Sequence, residues 1–266
     1  MANYVLEWDK EGERYLENGD RHGVLYTKNP SASAPTSNST DEDKSKYYYG
    51  VASVWNGLTA VTETPAGAEA NDVYADDIKY ATLRSAETFG GTIESFAYPP
   101  EFAKCDGSAE PTGLSGVHFG QQGRDSFGFS FESQVMNDTA TDTDDGEKLH
   151  IWYGCSASPS ERSYSTINDS PEGISFSWEI TSTPLTVSKT DLGINKESIS
   201  TITIAKNELD ADMQTNYENL KKIMYGYTWG TATTATAGRL PYPSEVVNAI
   251  KYGVDTTTGT INTKHT

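Results

Sequence analysis

The chain has 266 residues, enough for one large domain or two small ones. Its 20 Lys and Arg against 38 Asp and Glu leave a net charge of −18 and a pI near 4.5. That balance excludes a surface built to grip duplex DNA, where affinity comes from Lys and Arg displacing counterions, and one built to dock on an anionic membrane.

No apolar run approaches the ~20 residues of a membrane helix. The opening MANYVLEWDKEGERYLENGD has no basic stretch leading into an apolar one, which predicts a chain kept in the cytoplasm or released without a signal peptide. Two cysteines, Cys105 and Cys155, are too few for a disulfide scaffold at this length. Plentiful Tyr, Thr, Ser and Gly favour pleated strands and turns over helices.

In chain order, NPSASAPTSNSTDEDKSK (29–46) is polar, rich in Pro and Ser, and reads as a mobile loop. FGGTIESFAY (89–98) alternates weakly. SFGFSFESQV (126–135) alternates well, with Phe127, Phe129, Phe131 and Val135 opposed to Ser126, Gly128, Ser130, Glu132 and Gln134. NDTATDTDDGEK (137–148) reads as a long hairpin connection. LHIWYGCSA (149–157) places Leu149, Ile151, Tyr153 and Cys155 on one face. GISFSWEITST (173–183) opposes Ile174, Phe176, Trp178 and Ile180 to Ser175, Ser177, Glu179 and Thr181, and ISTITIA (199–205) is a weaker strand. The polar strand faces almost lack the Lys that guards solvent-facing strands.

From Leu209 the stripe Leu209, Met213, Tyr217, Leu220, Met224 predicts a helix, capped by Asn207 or Asp210 and stopped at Gly226. A shorter helix is expected over 244–252, between Pro243 and Gly253. The tail 253–266 has no apolar period. Without a repeat or an internal linker, the whole chain reads as a single, mainly β domain: a sandwich or barrel of two packed antiparallel sheets with a flanking helix. Residues 1–13 and 253–266 form terminal arms and 29–46 an acidic insertion.

Motifs for chemistry are missing. Asp142, Asp144 and Asp145 before Gly146 suggest a calcium loop. Aligning Gly146 with its sixth position puts Thr141, Thr143 and Trp152 where carboxylates or amides are needed. His22, His118, His150 and His265 are scattered, so no zinc set forms. Cys155 lies on an apolar strand face, as a structural thiol does. There is no G-x-S-x-G elbow, P-loop or G-x-G-x-x-G turn. Glu94, Glu132 and Glu179 could supply a carboxylate pair, but acidic residues on polar faces are common. The sequence predicts no enzyme, no metal and no cofactor.

Three blocks carry a resemblance. The first is VYADDIKYATLRSAETFGGTIESFAYPPEFAK (73–104), with Tyr74-Ala75-Asp76-Asp77 leading into a strand and then the turn Tyr98-Pro99-Pro100-Glu101-Phe102. The second is the Phe-rich strand, the strand end YGCSAS (153–158) and TINDSPEGISFSWEITSTPL (166–185). The third is a late helix ending in IMYG (223–226), followed by RLPYPSEV (239–246). In combination and order these resemble the major tail proteins, or tail tube proteins, of long-tailed, siphovirus-type bacteriophages of Gram-positive hosts, over about 14–252.

The resemblance implies a tail-tube fold: a subunit of a hexameric ring that gives about four strands to a shared inner β-barrel, with rings stacked into the conduit for genome DNA. A barrel of ~24 strands spaced ~4.8 Å apart leaves a lumen about 30 Å wide. A Lys-poor wall lets DNA slide without being held.

Candidate lumen- or interface-facing residues are then Glu94, Ser130, Glu132, Gln134, Ser175, Ser177 and Glu179. Candidate inter-ring loops carry Asp41, Glu42, Asp43, Asp142, Asp144 and Asp145, and are expected to order only on assembly. Implied partners are further copies of the chain, a tape measure protein inside the tube, tail terminator and distal tail proteins at its ends, and DNA in transit, with no membrane. Implied location is the virion, after assembly in the host cytoplasm. The alternatives are a carbohydrate-binding β-sandwich with Trp55, Trp152 and Trp229 as stacking platforms, and a glycoside hydrolase resting on the glutamates.

Overall fold

A computed structural model describes residues 8–67, 69–139, 146–160, 162, 164, 166, 173–195 and 197–263. Its elements run β1 (Tyr15–Thr27), α1 (Asp41–Tyr48), β2 (Val51–Val54), β3 (Leu58–Glu63), β4 (Ala70–Ala75), β5 (Ile78–Arg84), β6 (Gly90–Ser95), β7 (Phe127–Asn137), β8 (Gly146–Ala157), β9 (Phe176–Ser182), β10 (Leu185–Thr186), α2 (Lys189–Leu192), β11 (Ser198–Ile199), β12 (Thr201–Ala205), α3 (Ala211–Tyr225) and α4 (Pro243–Tyr252). The chain is mainly β, its strands are antiparallel and its helices are few.

Among the described residues the main sheet has eight strands in the order β2-β1-β7-β8-β9-β6-β3, with β12 added on β8. Its end strands β2 and β3 are consecutive in the chain, separated only by residues 55–57, so the sheet curls back towards itself. The curl encloses one core of Leu25, Trp55, Ile93, Phe102, Phe127, Phe129, Trp152 and Trp178. Trp55 and Phe102 lie 4.7 Å apart and Phe102 and Trp178 5.0 Å, so the interior is largely edge-on aromatic packing. A second core lies outside the curl, where Tyr26, Leu149, Ile151 and Tyr153 meet Tyr217, Leu220 and Met224 of α3 and Val246 and Ala249 of α4.

Strand β8 links the two cores. Its residues 148–152 pair with β12 and residues 155–157 with β9. At the changeover Gly154 has φ +59°, and a Cβ there would sit 2.0 Å from the Thr183 carbonyl oxygen, so only glycine fits. The irregularity shifts the side-chain phase. Leu149, Ile151 and Tyr153 share the helix-side core as expected, but Cys155 enters the curl core beside Trp152.

The predicted long helix forms as α3, beginning two residues later than expected, with Gly226 (φ +88°) ending it. Fully burying each of Tyr217, Leu220 and Met224 stabilises by about 1.5–3 kcal/mol.

The expectation for 29–46 needs correction. Residues 41–48, with Asp41, Glu42 and Asp43, form α1 within the single chain. Thr40 and Asp43 make a reciprocal cap: Thr40 Oγ1 accepts from the Asp43 amide at 3.2 Å, and Asp43 accepts from the Thr40 amide at 3.0 Å. Glu42–Lys46 supports the next turn at 2.7 Å. Arg239 ties the helix down, donating to Ser45 and gripping Glu245 of α4 with both terminal nitrogens. Residues 41–48 are thus tied down by contacts within the chain. Asp142, Asp144 and Asp145 lie outside the described residues.

Candidate functional site

The lower part of the main sheet is a four-stranded segment in the order β1-β7-β8-β12, made of residues 15–21, 132–137, 146–152 and 201–205. Its strand phases follow from the register. Leu16, Asn18 and Arg21 lie opposite Met136, Gln134 and Glu132, and Ile151 and Leu149 opposite Ile202 and Ile204. Helix α3 covers that face at Glu132, Leu149 and Ile151, while Leu16 and Asn18 at its outer end stay exposed. Glu17, Ser133, Lys148, His150, Thr201 and Thr203 share the other face.

Both outer edges of this segment lack a strand partner among the described residues. The Tyr153 amide donates to the Ser200 carbonyl at 2.8 Å, so Ser200 and, by alternation, Ile202 and Ile204 turn their backbone groups to β8. Thr201, Thr203 and Ala205 therefore present theirs outward. At the other edge the Asp138 amide donates to the Arg14 carbonyl, so Arg14, Leu16 and Asn18 face β7 while Tyr15 and Glu17 face outward. Strand β2 covers β1 only at Val24–Thr27. Neither free edge carries the Pro or Lys that blunts edge strands.

Beneath α3 a charged network ties three of these strands to the helix. Glu132 is completely buried. Tyr225 donates to its Oε1 at 2.6 Å, Lys221 Nζ lies 2.9 Å from the same oxygen, and His22 Nδ1 lies 2.7 Å from Oε2. Lys221 also reaches Glu147 at 2.9 Å, and Arg21 reaches Glu147 at 3.4 Å. Burial pushes the Glu132 carboxyl up, but donors from Tyr225, His22 and Lys221 outweigh it and hold the group below the usual carboxylate range. Burial likewise works against the Lys221 cation, and its bonds to Glu132 and Glu147 raise it instead.

On the face away from α3, Ser133, His150 and Glu63 have the order of a hydrolytic triad. Ser133 Oγ lies 3.0 Å from His150 Nε2, and Glu63 lies 3.8 Å from Nδ1. Proton counting rules out that role. Ser133 donates its single proton to Glu17 at 2.6 Å; Glu17 is partly buried, yet Lys148 and Ser133 hold it ionised and able only to accept. His150 Nε2 must then carry a proton to bond Ser133, so the imidazole is not placed as the base of a Ser-His pair and the hydroxyl's acceptor is the Glu17 carboxylate. Ser133 also lies within the β7 ladder, not on the exposed strand-to-helix turn of a nucleophile elbow. The cluster pins β1 to β7 and β8, and His150 stacks on Phe131 at 4.6 Å.

The remaining expected residues fall in two places. Glu94, Ser177 and Glu179 share the exposed outer face of β6 and β9, where Glu94 pairs with Ser177 and Thr92 with Glu179, and Ser175 is exposed just before β9. Ser130, Glu132 and Gln134 are on the helix-covered face. Ser130 is fully buried with its hydroxyl 3.1 Å from that of Tyr26, so neither it nor Glu132 faces open space. Alternation finds a polar strand face but cannot tell water from a covering helix. The signal was in α3, where Lys221 stands one turn from Tyr217 and Tyr225 on the apolar stripe and implies a buried carboxylate opposite it.

Sequence reasoning missed the free half of β1 and the β4–β5 hairpin. Trp55, Trp152 and Trp229 are buried and offer no platform for a sugar. Cys105 and Cys155 are buried free thiols, the first pushed up to about 12 by burial. Among the described residues no helix is long and apolar enough to cross a membrane. Neither a protein-family model nor a curated protein sequence matches the chain.

Proposed function

We propose that this chain is a structural subunit that closes side by side into hexameric rings, and that the rings stack into the tail tube of a long-tailed bacteriophage. The observation carrying this reading is the four-stranded segment with two bare edges. Along it the strands alternate in direction, so β12 of one copy meets β1 of the next antiparallel and the pattern repeats without a break. A contact made by two different surfaces generates a ring when its rotation closes. The number six and the tube come from the sequence resemblance. Six copies supply the ~24 strands of a barrel wide enough for a DNA duplex.

In this reading α3 lies outside the barrel and the face away from α3 forms the wall, with Glu17, Lys148, His150, Thr201 and Thr203 towards the lumen. Its charges nearly balance, so DNA passes without being held. The same reading makes the tape measure, terminator and distal tail proteins the partners and the virion the location. It also includes the two-sheet sandwich description of the fold, with the curled sheet as one layer and the four-stranded segment as the part shared with neighbours.

Energetics favours closed rings over pairs. Three outward residues of β12 offer up to about six backbone bonds, each worth ~1 kcal/mol net. That sum is of the order of the cost of bringing two proteins together, about 4–15 kcal/mol. One junction is therefore weak, and a closed ring gives every subunit two.

Thr203→Pro tests the reading. It removes an outward amide and leaves the bonds to β8 intact. Rings seen by electron microscopy for the parent and only folded monomers for the variant are expected. Rings formed equally well by the variant would refute edge pairing through β12.

A further inference from the structure

The chain after α4 folds into a closed turn. Val254 and Ile261 pair as a bridge, and the Asp255 amide donates to the Thr260 carbonyl at 2.9 Å. The Asp255 carboxylate accepts from the Thr257 amide at 2.8 Å and from the Thr258 hydroxyl at 2.9 Å. The turn packs on Trp229, which belongs with Val254 to the helix-side core and is only 4% exposed. A Cβ on Gly259 (φ +73°) would lie 2.6 Å from Trp229 Nε1, so glycine is what keeps the nitrogen edge of the indole open.

Between this turn, α1 and the last turn of α3 lies a pocket of about 170 Å³, lined by Trp229 and Gly259 among others. Three cations reach it, Lys46, Lys222 and Arg239, in a chain of net charge −18. Two of them are matched: Lys46 pairs with Glu42 at 2.7 Å and Arg239 with Glu245 at 2.7 Å. Lys222 has no carboxylate partner among the described residues. Its Nζ donates to Asn219 at 2.9 Å and lies 5.0 Å from the centre of the Tyr227 ring, which leaves further N–H groups unused. The Trp229 N–H, which can only donate, likewise bonds nothing among the described residues. The negative end of α3 does not compete for these donors. Its Lys222 and Ile223 carbonyls accept from the amides of Gly226 and Arg239 at 3.0 and 3.1 Å. A buried donor left unpaired is costly, so an unspent ammonium beside an unspent indole N–H calls for an acceptor that carries negative charge.

We propose that this pocket binds a single tetrahedral oxyanion, inorganic phosphate, with Lys222 as its counter-charge and the Trp229 indole N–H as a fixed donor. The space is about the share of six liquid waters, room for the anion but not for a nucleoside attached to it. Glu42 also lines the pocket, and a carboxylate can only accept. Phosphate keeps a proton at neutral pH and can donate it to Glu42, whereas sulfate has none to give. The pocket is formed within one chain, so it fills whether or not copies assemble into rings.

Equilibrium dialysis of the purified chain against radiolabelled inorganic phosphate tests this, with one saturable site per chain expected. Lys222→Gln should weaken binding at least about tenfold, because a charge-assisted bond and the counter-charge are both lost. Trp229→Phe keeps the ring and removes the donor, and should weaken binding about fivefold. Urea unfolding checks that each variant is folded. Should Trp229→Phe fail to fold, the partly exposed Lys222 decides alone. No saturable uptake by the parent up to about 10 mM phosphate, or uptake by Lys222→Gln equal to the parent's, overturns the site. Sulfate should compete at least about tenfold more weakly than phosphate, and equal competition overturns the role of Glu42. Adenosine monophosphate should not displace the label; displacement would overturn the assignment of a free anion in favour of a phosphate ester.

Discussion

Replacing Glu132 by Gln perturbs the joint between the four-stranded segment and α3. The carboxylate is wholly buried and is held by Tyr225, Lys221 and His22 at 2.6–2.9 Å. Breaking a buried ion pair by removing one partner costs about 3–5 kcal/mol. The lower end applies, because Lys221 keeps Glu147 at 2.9 Å and the amide oxygen still accepts from Tyr225. The variant should therefore lose about 3 kcal/mol at pH 7 in urea unfolding.

The pH dependence has a defined sign. A carboxyl held below its ordinary range stabilises the folded state above that range, and the contribution is lost as pH falls through the folded value. The gap between parent and variant should narrow once pH drops below about 4. A gap under about 1 kcal/mol at pH 7, or one equally large at pH 3, would show that the network is not a stabilising ion pair.

Gly154→Ala should cost more than about 3 kcal/mol, because it combines a left-handed backbone with a Cβ driven into the Thr183 carbonyl, and unfolding curves measure it directly. Leu220→Ala should cost about 2–5 kcal/mol while leaving ring geometry unchanged in whatever fraction stays folded, since α3 packs on the covered face. The two thiols should resist alkylation at pH 8 in the folded protein and react after denaturation; burial raises both, Cys105 to about 12. Rapid labelling of the folded chain would contradict their placement in the curl core.

The strands with clean two-residue alternation were legible from the sequence. Phe127 to Phe131 and Trp178 with Ile180 enter the curl core as their period predicts. The stripe of α3 was equally clear. Three features were not. The phase change at Cys155 depends on a backbone irregularity at Gly154 that no hydropathy pattern encodes. Helix α1 was hidden by a polar composition, although Thr40-Asp41-Glu42-Asp43 is a capping sequence. The polar residues of β7 were placed on an open face because their partners, Tyr225 and Lys221, are more than 80 positions away, a separation that local periodicity cannot bridge. The two free edges escaped for another reason: a free edge is a property of which neighbour is missing, and only the register of β12 on β8 reveals it.

The most direct test of side-by-side assembly is an electron-density reconstruction of the assembled protein at a resolution that separates strands. The account predicts a continuous antiparallel sheet crossing each subunit boundary, with Thr201, Thr203 and Ala205 of one copy hydrogen-bonded to residues near Tyr15 and Glu17 of the next, and α3 outside. Monomers under all conditions, or rings whose boundaries leave these two edges bare, would contradict it.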